Sequence, residues 1–206
     1  INPFRIEGQK TIGWEILQDL DWRAPDWIVL PAGNLGNTSA IGKAMLEAFE
    51  GGWIDKLPRI ASVQASGANP FYRGFAEGFR ERIAIQAETI ASAIRIGDPV
   101  SWDKARAVIE RTNGVVTEVT DEAILEAKAM IDGAGIGCEP ASACALAGAR
   151  RLRSEGLIGR DETVVGILTG NLLKDPEIVM KNVEREHGSR MIEIDARIED
   201  VARVLG

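Results

Sequence analysis

The stretch Ile28-Val29-Leu30-Pro31-Ala32-Gly33-Asn34-Leu35-Gly36-Asn37-Thr38-Ser39 constrains the fold more than any other part of the chain. It joins an apolar run to a loop with two glycines, and that loop to a helical pattern. A strand with no polar alternation has no face for water, so it belongs in a sheet covered on both sides by helices. The glycines let the backbone turn sharply and approach a ligand, and the helix that follows offers unpaired N–H groups and a positive dipole end. This is a phosphate cradle in outline, although an ordinary strand-to-helix turn that binds nothing fits the same spacing. It is neither G-x-G-x-x-G nor G-x-x-x-x-G-K-[ST], so nicotinamide dinucleotides and nucleoside triphosphates lose support as ligands.

The rest of the chain repeats this alternation. Residues 27–30, 59–64, 115–119, 163–168 and 191–194 read as strands, and four of the five are nearly continuous apolar runs. Val115-Val116-Thr117-Glu118-Val119 has a polar interruption and belongs near a sheet edge. Helices are predicted over 9–20, 38–50, 72–82, 102–112 and 198–205. Another follows Thr120, an N-cap ahead of Ile124, Ala127, Ile131 and Ala134, and another follows Pro140, with Ala145, Gly148, Ala149 and Leu152 on one face. The small residues of that last helix place it close against its neighbour. The pattern is α/β, a mainly parallel sheet flanked by helices.

Length and composition narrow the class. With 206 residues the chain buries a core without staples, and Cys138 and Cys144 alone make neither a disulfide framework nor a zinc site. They read as small core residues in a reducing, cytoplasmic protein. The 31 acidic against 24 basic residues give a net charge of −7, which speaks against nucleic acid and anionic lipid as partners. No apolar run approaches the roughly 18 residues that span a bilayer, and the start carries no signal-like region.

Three further segments carry polar groups of interest. Thr169 ends an apolar run at the sheet edge where parallel sheets bind ligands; capping the next turn is the plainer role. Arg5 suits bidentate capture of a carboxylate or phosphate, and a solvated pair with Glu7 is its plainer role. His187, the sole histidine, lies in a charged stretch and reads as a surface residue. A Ser-His-Asp triad or a His-based metal site is therefore not expected.

Five motifs stand in one order: Asn2-Pro3-Phe4-Arg5-Ile6-Glu7-Gly8-Gln9-Lys10-Thr11; Gly33-Asn34-Leu35-Gly36-Asn37; Ala91-Ser92-Ala93-Ile94-Arg95-Ile96-Gly97-Asp98-Pro99; Cys138-Glu139-Pro140-Ala141-Ser142-Ala143; and Leu168-Thr169-Gly170 with Lys174-Asp175-Pro176. In that order and spacing the chain resembles threonine synthase over essentially its whole length. The resemblance implies the large domain of a fold type II pyridoxal-phosphate enzyme, like the tryptophan synthase β subunit. It implies that Gly33, Asn34, Leu35, Gly36 and Asn37 hold the pyridoxal 5'-phosphate phosphate through backbone N–H groups. Thr169 would face the pyridine nitrogen, leaving it less protonated than an Asp would. Arg5 would bind the substrate's phosphate, and residues 91–94 would line the cofactor pocket, with Ser92 where the family more usually has Thr. Asn171-Leu172-Leu173 departs from the family's His-Gly-Leu.

The reaction so implied converts O-phospho-L-homoserine and water to L-threonine and phosphate: phosphate leaves from Cγ, a proton returns there, and water adds at Cβ. The family usually forms homodimers. Its Schiff-base lysine lies in a Ser-Phe-Lys-Asp type segment ahead of the Asn-Pro-Phe-Arg run, and none of the seven lysines here has that setting. Lys10, the nearest in position, reads as structural. Residues 1–206 are therefore expected to be the C-terminal, larger-domain portion, beginning at Ile1 as if cut from a longer enzyme, with no catalytic lysine and no turnover alone. The alternatives are a related lyase such as threonine dehydratase or cysteate synthase, and a non-catalytic phosphate- or nucleotide-binding module.

Overall fold

In a computed structural model that describes residues 2–176, 192 and 194–205, four parallel strands form one sheet. Strand β1 (Trp27–Pro31) lies between β2 (Arg59–Ala65) and β4 (Val164–Gly166), and β3 (Val115–Val119) lies outside β2, giving the order β3-β2-β1-β4. Ile28 stands opposite Ile60 and Val165, and Ala61 opposite Val115. Because strand side chains alternate between faces, this register sends Ile28, Leu30 and Ile60 into one core and Trp27, Val29, Ala61 and Val63 into another.

Helices cover both cores. The first is closed by α2 (Thr11–Asp19), α3 (Gly36–Glu50), α4 (Pro70–Ala76) and α5 (Trp102–Arg111), through Leu17, Ile41, Met45, Phe71, Val108 and Ile109. The second is closed by α6 (Asp121–Gly133) and α7 (Pro140–Ser154), through Ile124, Ala127, Ile131 and Leu152. Thr120 caps α6 by accepting from the Ala123 N–H at 3.2 Å, and Pro140 opens α7, as the sequence predicts. A further helix spans Ile198–Leu205. Cys138 and Cys144 are buried, and burial pushes the Cys138 thiol up to about 11 and the Cys144 thiol higher still. Both behave as small apolar side chains.

Several predicted boundaries move. The helix expected over 9–20 is α2 alone, and the polar stretch before it is itself a helix, α1 (Pro3–Gln9), capped by Asn2, whose Oδ1 accepts from the Phe4 N–H at 2.9 Å. The helix expected over 72–82 begins earlier and stops at Ala76. There Gly78 and Phe79 take φ of 69° and 55°, turning the chain so that the Phe79 ring stacks 5.1 Å from Phe71. Strand β4 is shorter than the predicted 163–168 and partly exposed, because it is an edge strand that pairs only with β1 among the described strands. The predicted run at 191–194 lies outside the described residues apart from Ile192 and Ile194, and so does His187. No described helix is long and apolar enough to cross a membrane.

The close approach predicted for α7 is explicit at Gly148, where an added Cβ would sit 2.3 Å from Val63 Cγ2 of β2. Overpacking of this kind costs about 1–3 kcal/mol. Gly148→Ala is expected to lower the urea unfolding free energy by that amount, whereas Gly133→Ala, with nothing within 4 Å of the new atom, sets the baseline for an unobstructed helical glycine.

Candidate active site at the C-terminal edge of the sheet

The chain leaves β1 through Pro31 and Ala32 and enters the loop at 33–37, which forms one wall of a cleft of about 480 Å³. Gly33 is needed for close approach: an added Cβ would lie 3.0 Å from Ile94 Cα and 3.1 Å from the Ala93 carbonyl oxygen. Asn34 ties the loop outward, its Oδ1 accepting from the Val100 N–H at 3.0 Å and its carbonyl from the Ser101 N–H at 3.2 Å. Leu35 sits in the left-handed region at φ 63°, a conformation that costs a non-glycine residue about 1–2 kcal/mol. Its side chain is buried in the core, which returns about 1.5–3 kcal/mol. No side chain caps α3 at this end, so the first N–H groups of the helix remain free to meet an anion.

Opposite the loop, the end of β4 meets the start of α7. Glu139 donates its backbone N–H to the Gly170 carbonyl at 2.9 Å. The Thr169 hydroxyl donates to Glu139 Oε1 at 3.0 Å, while Lys174 Nζ pairs with Oε2 at 2.6 Å. Ser142 Oγ accepts from the N–H groups of Thr169 at 2.8 Å and Gly170 at 3.0 Å and lies 3.0 Å from Thr169 Oγ1. Glu139 is 2% exposed and Ser142 fully buried. The turn ahead of them is pinned by Lys128, also fully buried, whose ammonium donates to Asp132 Oδ2 and to the Cys138 carbonyl, both at 2.7 Å.

Helix α1 brings Arg5 to the same cleft. Arg5 does not pair with Glu7, the plain alternative raised by the sequence, because Glu7 is taken by Lys10 at 2.7 Å and by Lys43. Lys10 bridges on to Glu47 of α3 at 2.8 Å, a structural role. The Arg5 guanidinium forms no ion pair among the described residues. Arg5, the loop at 33–37 and Thr169 all line one cleft, and so do Lys104 and Lys174. Of the segment 91–94, Ala93 and Ile94 line it, whereas Ala91 is buried beneath and Ser92 is turned outward toward Asp175. Glu139, Ser142, Lys104 and Lys174 were not singled out from the sequence. The Glu139-Pro140 pair before a small-residue helix was the available sign for the first two. Among the described residues no cluster of His, Cys, Asp and Glu is set to hold a metal.

A parallel sheet whose strand ends present an uncapped helix and two facing loops is the frame of a cofactor-phosphate enzyme. The chain belongs to the pyridoxal-phosphate-dependent enzyme family, whose sequence profile matches residues 1–170. It is similar to the threonine synthase of Methanosarcina acetivorans, 50% identical over 182 residues that cover 87% of this chain and 45% of that one. It is 44% identical to the threonine synthase of Methanocaldococcus jannaschii, over all of this chain and 50% of that one. The chain thus spans about half the length of these relatives. Its fold is shared with threonine deaminase isoform 2 of Solanum lycopersicum, with a TM-score of 0.71 and 22% identity, covering 88% of this chain and 50% of that one. An L-serine ammonia-lyase from Rhizomucor miehei shares it too, with a TM-score of 0.70 and 21% identity, over 86% and 56% of the two chains. The α/β fold expected from the sequence is therefore that of fold type II pyridoxal-phosphate enzymes.

The residues present fit such a cofactor. Gly33 lets the loop lie directly against Ala93 and Ile94, and the uncapped start of α3 matches a phosphate. The setting of Arg5 depends on the ion-pair cluster that binds α1 to α3. Hydrogen bonds from Lys10 and then Lys43 hold the Glu7 carboxyl down at about 2, against an ordinary value of 4.5. A depressed folded value stabilises above the unfolded one, so the docking is intact above pH 4.5 and is lost as the pH falls through about 2. The groups are exposed, so salt weakens the effect. A carboxyl NMR titration of Glu7 is expected to show a midpoint near 2 with α1 amide shifts following it; a midpoint at 4.5 would contradict the cluster.

Proposed function

We propose that residues 1–206 are the C-terminal, larger-domain portion of a threonine synthase, which converts O-phospho-L-homoserine and water to L-threonine and phosphate. One observation supports the reading: one cleft is lined by two separate elements suited to an anion, the backbone loop at 33–37 with the start of α3, and the guanidinium of Arg5, which forms no ion pair among the described residues. A substrate that brings its own phosphate to a cofactor phosphate requires that pair. The relatives at 50% and 44% identity, both named threonine synthase, favour this over the ammonia-lyase and deaminase that share only the fold.

In this reading Gly33, Asn34, Leu35, Gly36 and Asn37 hold the cofactor phosphate, chiefly through backbone N–H groups, and Thr169 meets the ring nitrogen. Bound pyridoxal 5'-phosphate supplies an electron sink for charge developing on the substrate. Arg5 clamps the substrate phosphate and stabilises it as it departs, the site of greatest charge development. The protein is assigned to the cytoplasm and to a homodimer, with neither nucleic acid nor membrane as a partner.

The Schiff-base lysine is assigned to a part of the enzyme outside these residues. Lys10, Lys43, Lys56, Lys128 and Lys174 are each paired with a carboxylate. Lys104 lines the cleft on the rim beside Ser101. Pyridoxal phosphate is expected to bind the chain without attaching, so borohydride treatment followed by mass spectrometry leaves every lysine unmodified. A pyridoxyl group fixed on Lys104 would overturn this assignment. In a polypeptide of the relatives' full length that carries this segment, Arg5→Ala is expected to lower kcat/KM for O-phospho-L-homoserine about a hundredfold, roughly 3 kcal/mol of charge-assisted hydrogen bonding. Pyridoxal-phosphate affinity stays the same; unchanged turnover would remove Arg5 from its role and the reading with it.

A further inference from the structure

We propose that Gln9 is a further phosphate-binding residue of this cleft, its side-chain amide turning to donate to a phosphate ester held between the start of α3 and Arg5. The proposal rests on the reading above, that phosphate binds here, and adds a residue which that reading leaves without a role. Gln9 ends α1 and stands four residues after Arg5, so one face of the helix brings both side chains to the cleft. Its Oε1 is buried, and no described residue donates to it. The atom lies against the first residue of α3, where a Cβ added at Gly36 would be 3.5 Å away. The neighbouring ammonium offers no relief, because Lys10 is committed to Glu7 and Glu47.

A buried acceptor without a donor is costly, so its placement calls for a physical reason. The positive end of α3 supplies one, since a carbonyl dipole is favoured beside unpaired N–H groups. A phosphate arriving there would bring its own oxygens to the same donors and would face Oε1 as a like partial charge. A half-turn about the last side-chain torsion relieves this. That torsion is soft, and the turn sacrifices no bond to Oε1 from a described residue. It exchanges the oxygen for Nε2, whose two N–H groups donate to the anion. The three terminal oxygens of a phosphate monoester are strong acceptors, and hydrogen bonds to a charged acceptor are the strong ones. A carboxamide suits the position better than a carboxylate, because a Glu four residues after Arg5 would pair with the guanidinium and withdraw it from the ligand.

The test uses the 15N-labelled 206-residue chain with 4'-deoxypyridoxine 5'-phosphate, which has no aldehyde, with its unphosphorylated counterpart 4'-deoxypyridoxine, and with O-phospho-L-homoserine. In the wild-type chain at least one of the two esters is expected to shift the Gln9 side-chain amide signals and to bring NOEs from its Nε2 protons to Gly36 Hα; 4'-deoxypyridoxine does neither. Gln9→Met, which keeps the length and removes the amide, is expected to weaken binding of that ester about tenfold. Binding of 4'-deoxypyridoxine and the urea midpoint stay as in the wild type. A loss confined to 4'-deoxypyridoxine 5'-phosphate assigns Gln9 to the cofactor's phosphate, one confined to O-phospho-L-homoserine assigns it to the substrate's, and either supports the proposal. Gln9 amide signals that stay in place when the wild-type chain is saturated with both esters overturn it, whether or not the variant folds. Unchanged ester affinity in Gln9→Met also overturns it, and so does a loss shared equally by the phosphorylated and unphosphorylated ring, the mark of a merely structural role. A wild-type chain that binds neither ester removes the phosphate reading of the cleft and the proposal together.

Discussion

The loop at 33–37 and Thr169 are placed at the cleft by the hydrogen-bonded pairing of β1 with β2 on one side and β4 on the other. The pairing continues past the strand ends, with the Ala32 N–H on the Val63 carbonyl at 2.8 Å and the Ile167 N–H on the Val29 carbonyl at 2.9 Å. These two bonds set the height at which the loop at 33–37 and Thr169 emerge. Gln64 adds a cross-tie: fully buried, it donates to the Ala32 carbonyl and accepts from the N–H groups of Phe71 and Tyr72. A one-residue slip in this register would exchange the two cores and turn every one of these groups away from the cleft.

The strand-loop-helix unit at 28–39 was legible because its signals are local: apolar continuity, two glycines, and a helical period directly after them. The same holds for the Thr120 cap and the Pro140 start. The site wall built by Glu139, Ser142, Thr169 and Lys174 was only partly legible, since its meaning arises when segments about thirty residues apart are brought together, and Glu139 and Ser142 entered the sequence reading only as members of a motif, with no role of their own. Arg5 was readable as a chemistry-bearing residue, yet its freedom depended on a distant fact, that Lys10 and Lys43 of α3 occupy Glu7. The early stop of α4 turned on packing, because the Phe79 ring is held between Phe71, Phe75 and Trp102.

The net charge of −7 describes the chain's sum and not its cleft. Arg5, Lys104 and Lys174 line the cleft, and among the described residues the one carboxylate that lines it, Glu139, is paired with Lys174. Local potential, not total charge, governs what enters such a concavity. An acidic chain with a cationic cleft disfavours polyanions over most of its surface, which fits the proposal that a small phosphorylated molecule enters at one place.

The left-handed Leu35 bears on binding in another way. A residue in that conformation, fastened by its own buried side chain, has no easy path to relax when the cleft empties. The entropy of shaping the loop is settled when the protein folds, so a phosphate held there as proposed would meet N–H groups already aimed, with little of its binding energy diverted to ordering the backbone. A glycine at the same position would adopt the angle without strain, yet it would leave the loop free to wander, which makes the bulkier residue the better keeper of a rigid socket.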